Sequence, residues 1–239
     1  MDYVELHCKS NFSFLEGASH AHELVEQSKQ LGYGGIAITD RNSLAGVVRA
    51  FTAAKDFGTP FYAGCELNFI DGPSLVVWPA DRVGYAALCR ILSLGRRRAS
   101  KGECVLSWDD VSEIRNNNLL GLIPRTVPSS IPCDTQRSTD NSGSTQSFWS
   151  KLSHAPITGD LSGWVYGLNQ CKDLFGERLY LLSHLHRGVD DRTELQMQLK
   201  LSRDCQVPLV AAGDVLYHVP ERMILQDCLT AIATGNPIE

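Results

Sequence analysis

Short apolar runs alternate along this chain with longer segments whose apolar residues recur every three or four positions. Almost every short run ends on a charged or hydrogen-bonding side chain. Val4 to Leu6 reads as a first strand, and Ser19 can cap a helix with Ala21, Leu24, Val25 and Leu31 on one face, ending near Gly32. Gly34 to Asp40 forms a second strand, and Ser43 opens a helix that runs through Val47, Val48, Phe51 and Ala54 to Gly58. Pro60 to Glu66 is a third strand. After the turn Asp71-Gly72-Pro73, Leu75 to Trp78 is a fourth. Helical spacing returns from Arg82 to Leu94, ending in Gly95-Arg96-Arg97-Arg98, and a short helix capped by Ser107 covers Trp108 to Arg115. Leu119 to Ile123 is a fifth strand, Leu161 to Phe175 a helix, and Arg178 to Leu182 a sixth strand with His184 and His186 beyond it. An amphipathic helix with Leu195, Leu199 and Leu201 spans Asp190 to Gln206, a seventh strand runs from Val207 to Ala212, and a last helix from Arg222 to Thr234.

Strands separated by helices along nearly the whole chain predict parallel pairing through right-handed crossovers. Seven of them predict an α/β fold of the (β/α)7 type, a closed or nearly closed barrel. An open doubly wound sheet is the other reading, but no glycine-rich phosphate fingerprint follows the first strand. From about 126 to 160 the chain is rich in Ser, Thr, Pro, Asn and Asp. Too few large apolar residues lie there to fill a core, so this stretch reads as a polar insertion or flexible loop within a single domain, 1–239.

The hydrophobic fraction of 43% predicts a globular protein. A net charge of −5 argues against a general grip on a phosphate backbone, so any contact with DNA is expected to be indirect or local, through Arg96, Arg97 and Arg98. The bland alternative for that triplet is a solvated helix end. Eight cysteines are scattered without a CxxC pair and with no secretory leader, which predicts reduced thiols in a cytoplasmic protein. No apolar run approaches the ~20 residues a membrane span requires.

The chemistry concentrates at the strand ends. His7 and Lys9 follow the first strand, Asp40 and Arg41 the second, Glu66 ends the third, and Asp214 follows the seventh. Glu16 lies in the polar loop after the first. Side chains delivered to the C-terminal mouth of a barrel are where such folds build their sites.

That order of residues resembles the polymerase and histidinol phosphatase superfamily, the PHP domains, which are distorted seven-stranded barrels. More narrowly, the blocks Tyr3 to Leu15, Leu44 to Ala50, Leu185-His186-Arg187-Gly188 and Gly213 to His218 resemble the N-terminal domain of bacterial error-prone DNA polymerases, relatives of the polymerase III alpha subunit. The resemblance implies a role in translesion synthesis, in DNA replication and repair. It also implies a polymerase core, in the same or a partner chain, that carries the nucleotidyl-transfer carboxylates and is absent from these 239 residues. This chain alone is then expected to be inactive as a polymerase.

PHP domains hold a metal cluster through an HxH pair, a TDH motif, a later Glu and a DxH motif. Here the corresponding residues are His7-Cys8-Lys9, Thr39-Asp40-Arg41, Glu66 and Asp214-Val215-Leu216, so three imidazoles are replaced. Lys9 and Arg41 are cations with no lone pair to offer a metal. The expectation is a degenerate site, His7, Lys9, Glu16, Asp40, Arg41, Glu66 and Asp214, in which the two basic side chains neutralise buried carboxylates and no cofactor binds. His7 is then a hydrogen-bonded core imidazole. The alternative is an active phosphoesterase or 3′ to 5′ exonuclease holding Mn, Zn or Fe on His7, Glu66 and Asp214. Cys8 has a lysine neighbour that could lower a thiol pKa, yet strand alternation predicts a buried thiol facing away from the mouth.

Overall fold

The computed structural model describes residues 3–123, 161–186, 188 and 191–235. The predicted polar insertion at 126–160 lies outside the described residues, as does Arg187.

Among the described residues, eight strands form two sheets. The first holds β1 (Val4–Glu5), β2 (Gly35–Ile38) and β3 (Phe61–Ala63), all parallel. The second has the order β4 (Cys65–Leu67), β5 (Leu75–Pro79), β6 (Asn118–Leu122), β7 (Leu179–Ser183) and β8 (Leu209–Ala211). Here β5 is antiparallel to both β4 and β6, while β6, β7 and β8 are mutually parallel. Seven parallel strands in one closed barrel are therefore not what the pairing gives. The expected third strand is divided at Gly64, where a Cβ would meet Thr39 Cγ2 at 2.7 Å and Trp78 Cδ1 at 2.9 Å. No side chain fits that approach. The link between β4 and β5 is a seven-residue turn around Gly72, short enough for a hairpin, whereas a parallel crossover needs a dozen residues or more. Two isolated parallel bridges, Arg41 to Glu66 and Cys8 to Val215, join the sheets at the strand ends.

The helices are α1 (Ala21–Gln30), α2 (Val47–Phe57), α3 (Arg82–Arg98), α4 (Ser162–Phe175), α5 (Asp191–Cys205) and α6 (Met223–Thr234), with a 3-10 helix at Trp108–Ile114. All were anticipated to within a few residues, but α3 runs one turn longer and includes the three arginines. Ser19 does not cap α1. The cap residue is His20, whose backbone N–H donates to Glu23 at 2.7 Å, while Ser19 Oγ accepts from the backbone N–H of His218 at 2.9 Å.

Strand alternation sorts the core into layers. Ile36 and Ile38 of β2 face Ala21, Leu24 and Val25 of α1 and Ala50, Ala53 and Ala54 of α2. Leu75 and Val77 of β5 face the largest cluster, with Leu88 and Ile91 of α3, Leu168 of α4 and Leu201 of α5. The opposite faces meet each other: Ala37 of β2 packs with Val76, Trp78, Leu182 and Ala212, and Trp78 Nε1 donates to the carbonyl of Leu6 at 3.0 Å. Polar residues at the strand ends sit above that inner cluster. No helix among the described residues is long and apolar enough to cross a membrane.

Candidate metal centre

Every residue of the predicted site except Asp40 meets in one ionic network at the strand ends. β1 runs straight into His7 and Lys9, and alternation places both on the side opposite Cys8. Cys8 packs with α1 and α2, and burial pushes its thiol well up, so it takes no part in the site. On β4, Cys65 and Leu67 join the outer core and Glu66 points the other way. Asp214 follows β8 with a left-handed backbone, φ 48°, between Gly213, whose N–H donates to Glu5 at 2.8 Å, and Val215, which bridges to Cys8.

At the centre is the Lys9 ammonium, 2.9 Å from Glu66 Oε2, 3.1 Å from Asp214 Oδ1 and 3.7 Å from Glu16 Oε2. The His7 imidazole presents Nε2 to Glu66 Oε2 at 3.0 Å and Nδ1 to both His184 Nε2, at 3.1 Å, and Asp214 Oδ1, at 3.5 Å. Arg41 closes the outer edge by pairing with the other oxygen of Glu16. His7, Lys9 and Glu66 are all buried.

Burial alone would discharge Lys9, but three carboxylates outweigh it and hold the ammonium protonated well above its usual range. Burial likewise works against charge on Glu66 and Asp214. Lys9 and His7 prevail, holding Glu66 well below the ordinary carboxylate range and drawing Asp214 down to about 2. Glu16 goes the other way: burial raises its pKa despite Lys9 and Arg41. Its Oε2, like Asp214 Oδ1, is buried without a well-directed hydrogen bond, so both rely on Coulombic compensation from the cations.

Asp40 lies apart from the ion pairs. Its carboxylate accepts from Ser10 N at 2.7 Å and from the hydroxyls of Ser10 and Ser13, each at 2.8 Å, so it folds the 10–17 loop back over the site. Gly46 is required there, because a Cβ would lie 2.5 Å from Asp40 Oδ2 and 2.9 Å from Ser10 Oγ. Burial raises the Asp40 pKa against those hydrogen bonds.

Two participants were not among the expected site residues. Glu5 is buried and accepts from His7 N at 3.0 Å, Gly213 N at 2.8 Å and Tyr3 Oη at 2.7 Å, pinning β1 to the segment that carries Asp214. His184, placed by β7, stacks obliquely on His7 with ring centroids 4.9 Å apart, and burial with the nearby His7 pushes its pKa down to about 3. The signal for His184 was its position two residues past an apolar run; for Glu5 it was an acid inside a strand.

Could these residues hold metal? His7, His184 and Asp214 place one ligand atom each within 4.8 Å of one another, with Glu66 on the far side of His7. Two imidazoles and a carboxylate suit a single Zn, Mn or Fe ion. A cluster of two or three does not fit: Glu66 and Asp214, the carboxylates available to bridge ions, already share the Lys9 ammonium, and Glu16 is taken by Arg41.

The arginine triplet is largely spent on the protein itself. Arg96 Nη2 donates to the carbonyl of Asn42 at 2.9 Å, and Arg98 Nη1 pairs with Asp110 at 2.6 Å. Arg97 joins Asn42, Ser43, Leu44, Cys89 and Arg96 around a groove of about 490 Å³.

A family model described as the PHP domain matches residues 5–129. The chain is 44% identical, over its full length, to an error-prone DNA polymerase of Rhodopirellula baltica, of which the match covers 19%. It is 37% identical to the error-prone DNA polymerase of Pseudomonas fluorescens and 36% identical to error-prone DNA polymerase 1 of Agrobacterium fabrum, covering 99% of this chain and 19% of each relative. It thus spans about a fifth of the length of the relatives it matches. Among solved structures it resembles a Bifidobacterium adolescentis protein assigned as a metal-dependent phosphoesterase, with TM-score 0.56, 14% identity, and 95% of this chain and 96% of that one covered. It also resembles an amidohydrolase of Chromobacterium violaceum, with TM-score 0.58, 13% identity and coverage of 90% and 87%. These two likenesses concern the fold.

Proposed function

The chain belongs to the PHP domain family, and we propose that it is the PHP domain of an error-prone DNA polymerase in which an ion-pair network has taken over the metal site. The observation that carries this reading is the Lys9 ammonium set between Glu66 and Asp214 at 2.9 and 3.1 Å. A fixed ammonium neutralises the carboxylates as a metal would, but it offers no open coordination position and no activated water. The domain then serves as a scaffold for a polymerase body acting in the cytoplasm in lesion bypass, replication and repair. Residues 1–239 form one domain of it. Its two sheets, joined at Arg41–Glu66 and Cys8–Val215, are read as a distorted, partly opened form of the family's barrel. Any direct contact with DNA falls to Arg97.

The second reading rests on the gathering of His7, His184 and Asp214. A single ion held there would supply Lewis-acid chemistry and a bound water for phosphoester hydrolysis. An assay separates the two. With added Mn²⁺, hydrolysis of a phosphodiester and of single-stranded DNA should not exceed that of a Glu66→Ala, Asp214→Ala control; a rate tenfold or more above the control favours the enzyme.

A further inference from the structure

Helix α6 is the least satisfied element of the described fold. Its sequence, Met223 to Thr234, holds eight apolar residues in twelve and a single charge, Asp227, yet none of its residues is buried. Ile224 is 71% exposed and Ile232 67%, with Met223 and Leu225 also exposed. The polar side is content by itself: Gln226 Nε2 donates to Thr230 Oγ1, and Thr234 Oγ1 to the carbonyl of Thr230, both at 2.9 Å. On the other side Ile224, Cys228 and Ile232 make a row at spacing four, flanked by Leu225 and Leu229. Such a row is the ridge that fits between the side chains of a second helix. A helix of this length gains little stability in water without burying its apolar face.

Among the described residues, the root of the helix is fastened to the start of the chain's first helix and the loop before it. Arg222 Nη2 pairs with Glu23 Oε1 at 2.9 Å, and His218 Nδ1 lies 2.7 Å from Ser19 Oγ, so α1 holds its start while the apolar ridge points away. The ridge has no cation, and Arg222 is already engaged, which disfavours a phosphate backbone as the occupant. A membrane surface is disfavoured in the same way, because interfacial helices carry Lys or Arg on their polar side and this one carries Gln226, Asp227, Thr230 and Thr234.

We infer that α6 is the docking helix through which this domain is built into the polymerase body, its Ile224-Cys228-Ile232 ridge seated in an apolar helical groove of that body. The inference rests on the polymerase reading above, not on the state of the metal site. The occupant is argued from the Rhodopirellula baltica relative, which aligns with this chain through its full length, α6 included, and carries about four times as much sequence besides.

The test is a chimera in which this chain replaces the matching fifth of the Rhodopirellula baltica relative, compared with the isolated 239-residue chain by hydrogen exchange of peptides covering 223–234. In the chimera these amides should exchange about tenfold slower or more than in the isolated chain. Ile224→Asp with Ile232→Asp should abolish that protection in the chimera and leave the melting temperature of the isolated chain unchanged. Protection already present in the isolated monomer would mean that this chain covers the ridge by itself and would overturn the inference. Protection that grows with concentration, alongside a dimer in sedimentation, would assign the ridge to a second copy and overturn it equally. A chimera that extends a primer yet leaves α6 exchanging freely overturns this inference alone; one that extends no primer counts against the polymerase reading and this inference together.

Discussion

Two acid–base contacts in this molecule look alike on paper and differ in what they do. Lys9 meets Glu66 and Asp214 beneath the surface at the strand ends, and Arg98 meets Asp110 at the end of α3, at 2.6 Å, with 43% of the arginine side chain exposed. Arg98 can trade its carboxylate for water at little cost, and Asp110 keeps the N–H of Ser107 at 2.9 Å in any case. Lys9 is buried and has no such alternative, and without it Glu66 and Asp214 would be left with the His7 imidazole alone. The same chemistry is a convenience where the cation is half-exposed and a necessity where the cation itself is buried, because burial decides what an unpaired charge costs.

Lys9→Met should therefore have the largest effect. It leaves Glu66, Asp214 and Glu16 facing one another without their common cation, and should destabilise the fold by about 3 to 5 kcal/mol in urea denaturation. A loss no larger than that of a surface pair would erase the contrast. Adding Glu66→Gln and Asp214→Asn to Lys9→Met removes the two nearer charges that the ammonium compensated and leaves Glu16 to Arg41, and should return the protein to within about 1 to 2 kcal/mol of the wild type. If the triple variant is instead as unstable as the sum of its parts, packing and not charge holds the mouth together. Arg41→Ala should cost about 1 kcal/mol, since Arg41 is partly exposed and Glu16 keeps Lys9 at 3.7 Å.

Asp110→Asn should have the smallest effect, on the order of 1 kcal/mol or less at neutral pH. Partial burial works against the Asp110 charge, but Arg98 and the Ser107 N–H outweigh it and depress the pKa. A depressed carboxylate contributes its stability above the unfolded-state value, about 3.9, and loses it as pH falls through the folded value. The gap between wild type and Asp110→Asn should thus be flat from neutrality down to about pH 5 and close below pH 4. A gap that widens in acid would contradict the assignment.

Much of this was legible in the sequence because burial writes a simple pattern. The apolar runs that became β2, β5, β6 and β7 and the helical spacing of α1, α2 and α5 follow directly from which faces are covered. Pairing direction was not legible: β4 and β5 are short buried strands, and nothing in an apolar run distinguishes a hairpin partner from a crossover partner. The residues of the network could be named because charged groups at the ends of apolar runs are conspicuous. Their wiring could not. Asp40 reads as one more acid at a strand end, yet Ser10 and Ser13 claim its carboxylate, and His184 comes to His7 across 177 residues of chain, a contact that no local spacing encodes. Exposure of the α6 ridge was equally hidden, since its spacing is that of any core-facing helix.

The central claim is that an ammonium fills the place of an ion. Its most direct test is the metal content of the purified chain after loading with Mn²⁺ or Zn²⁺ and gel filtration, measured by plasma mass spectrometry beside a Lys9→His variant that restores an imidazole next to Glu66 and Asp214. Wild type should retain roughly one-tenth of an ion per chain or less, while Lys9→His approaches one. One or more tightly held ions per wild-type chain would contradict the claim.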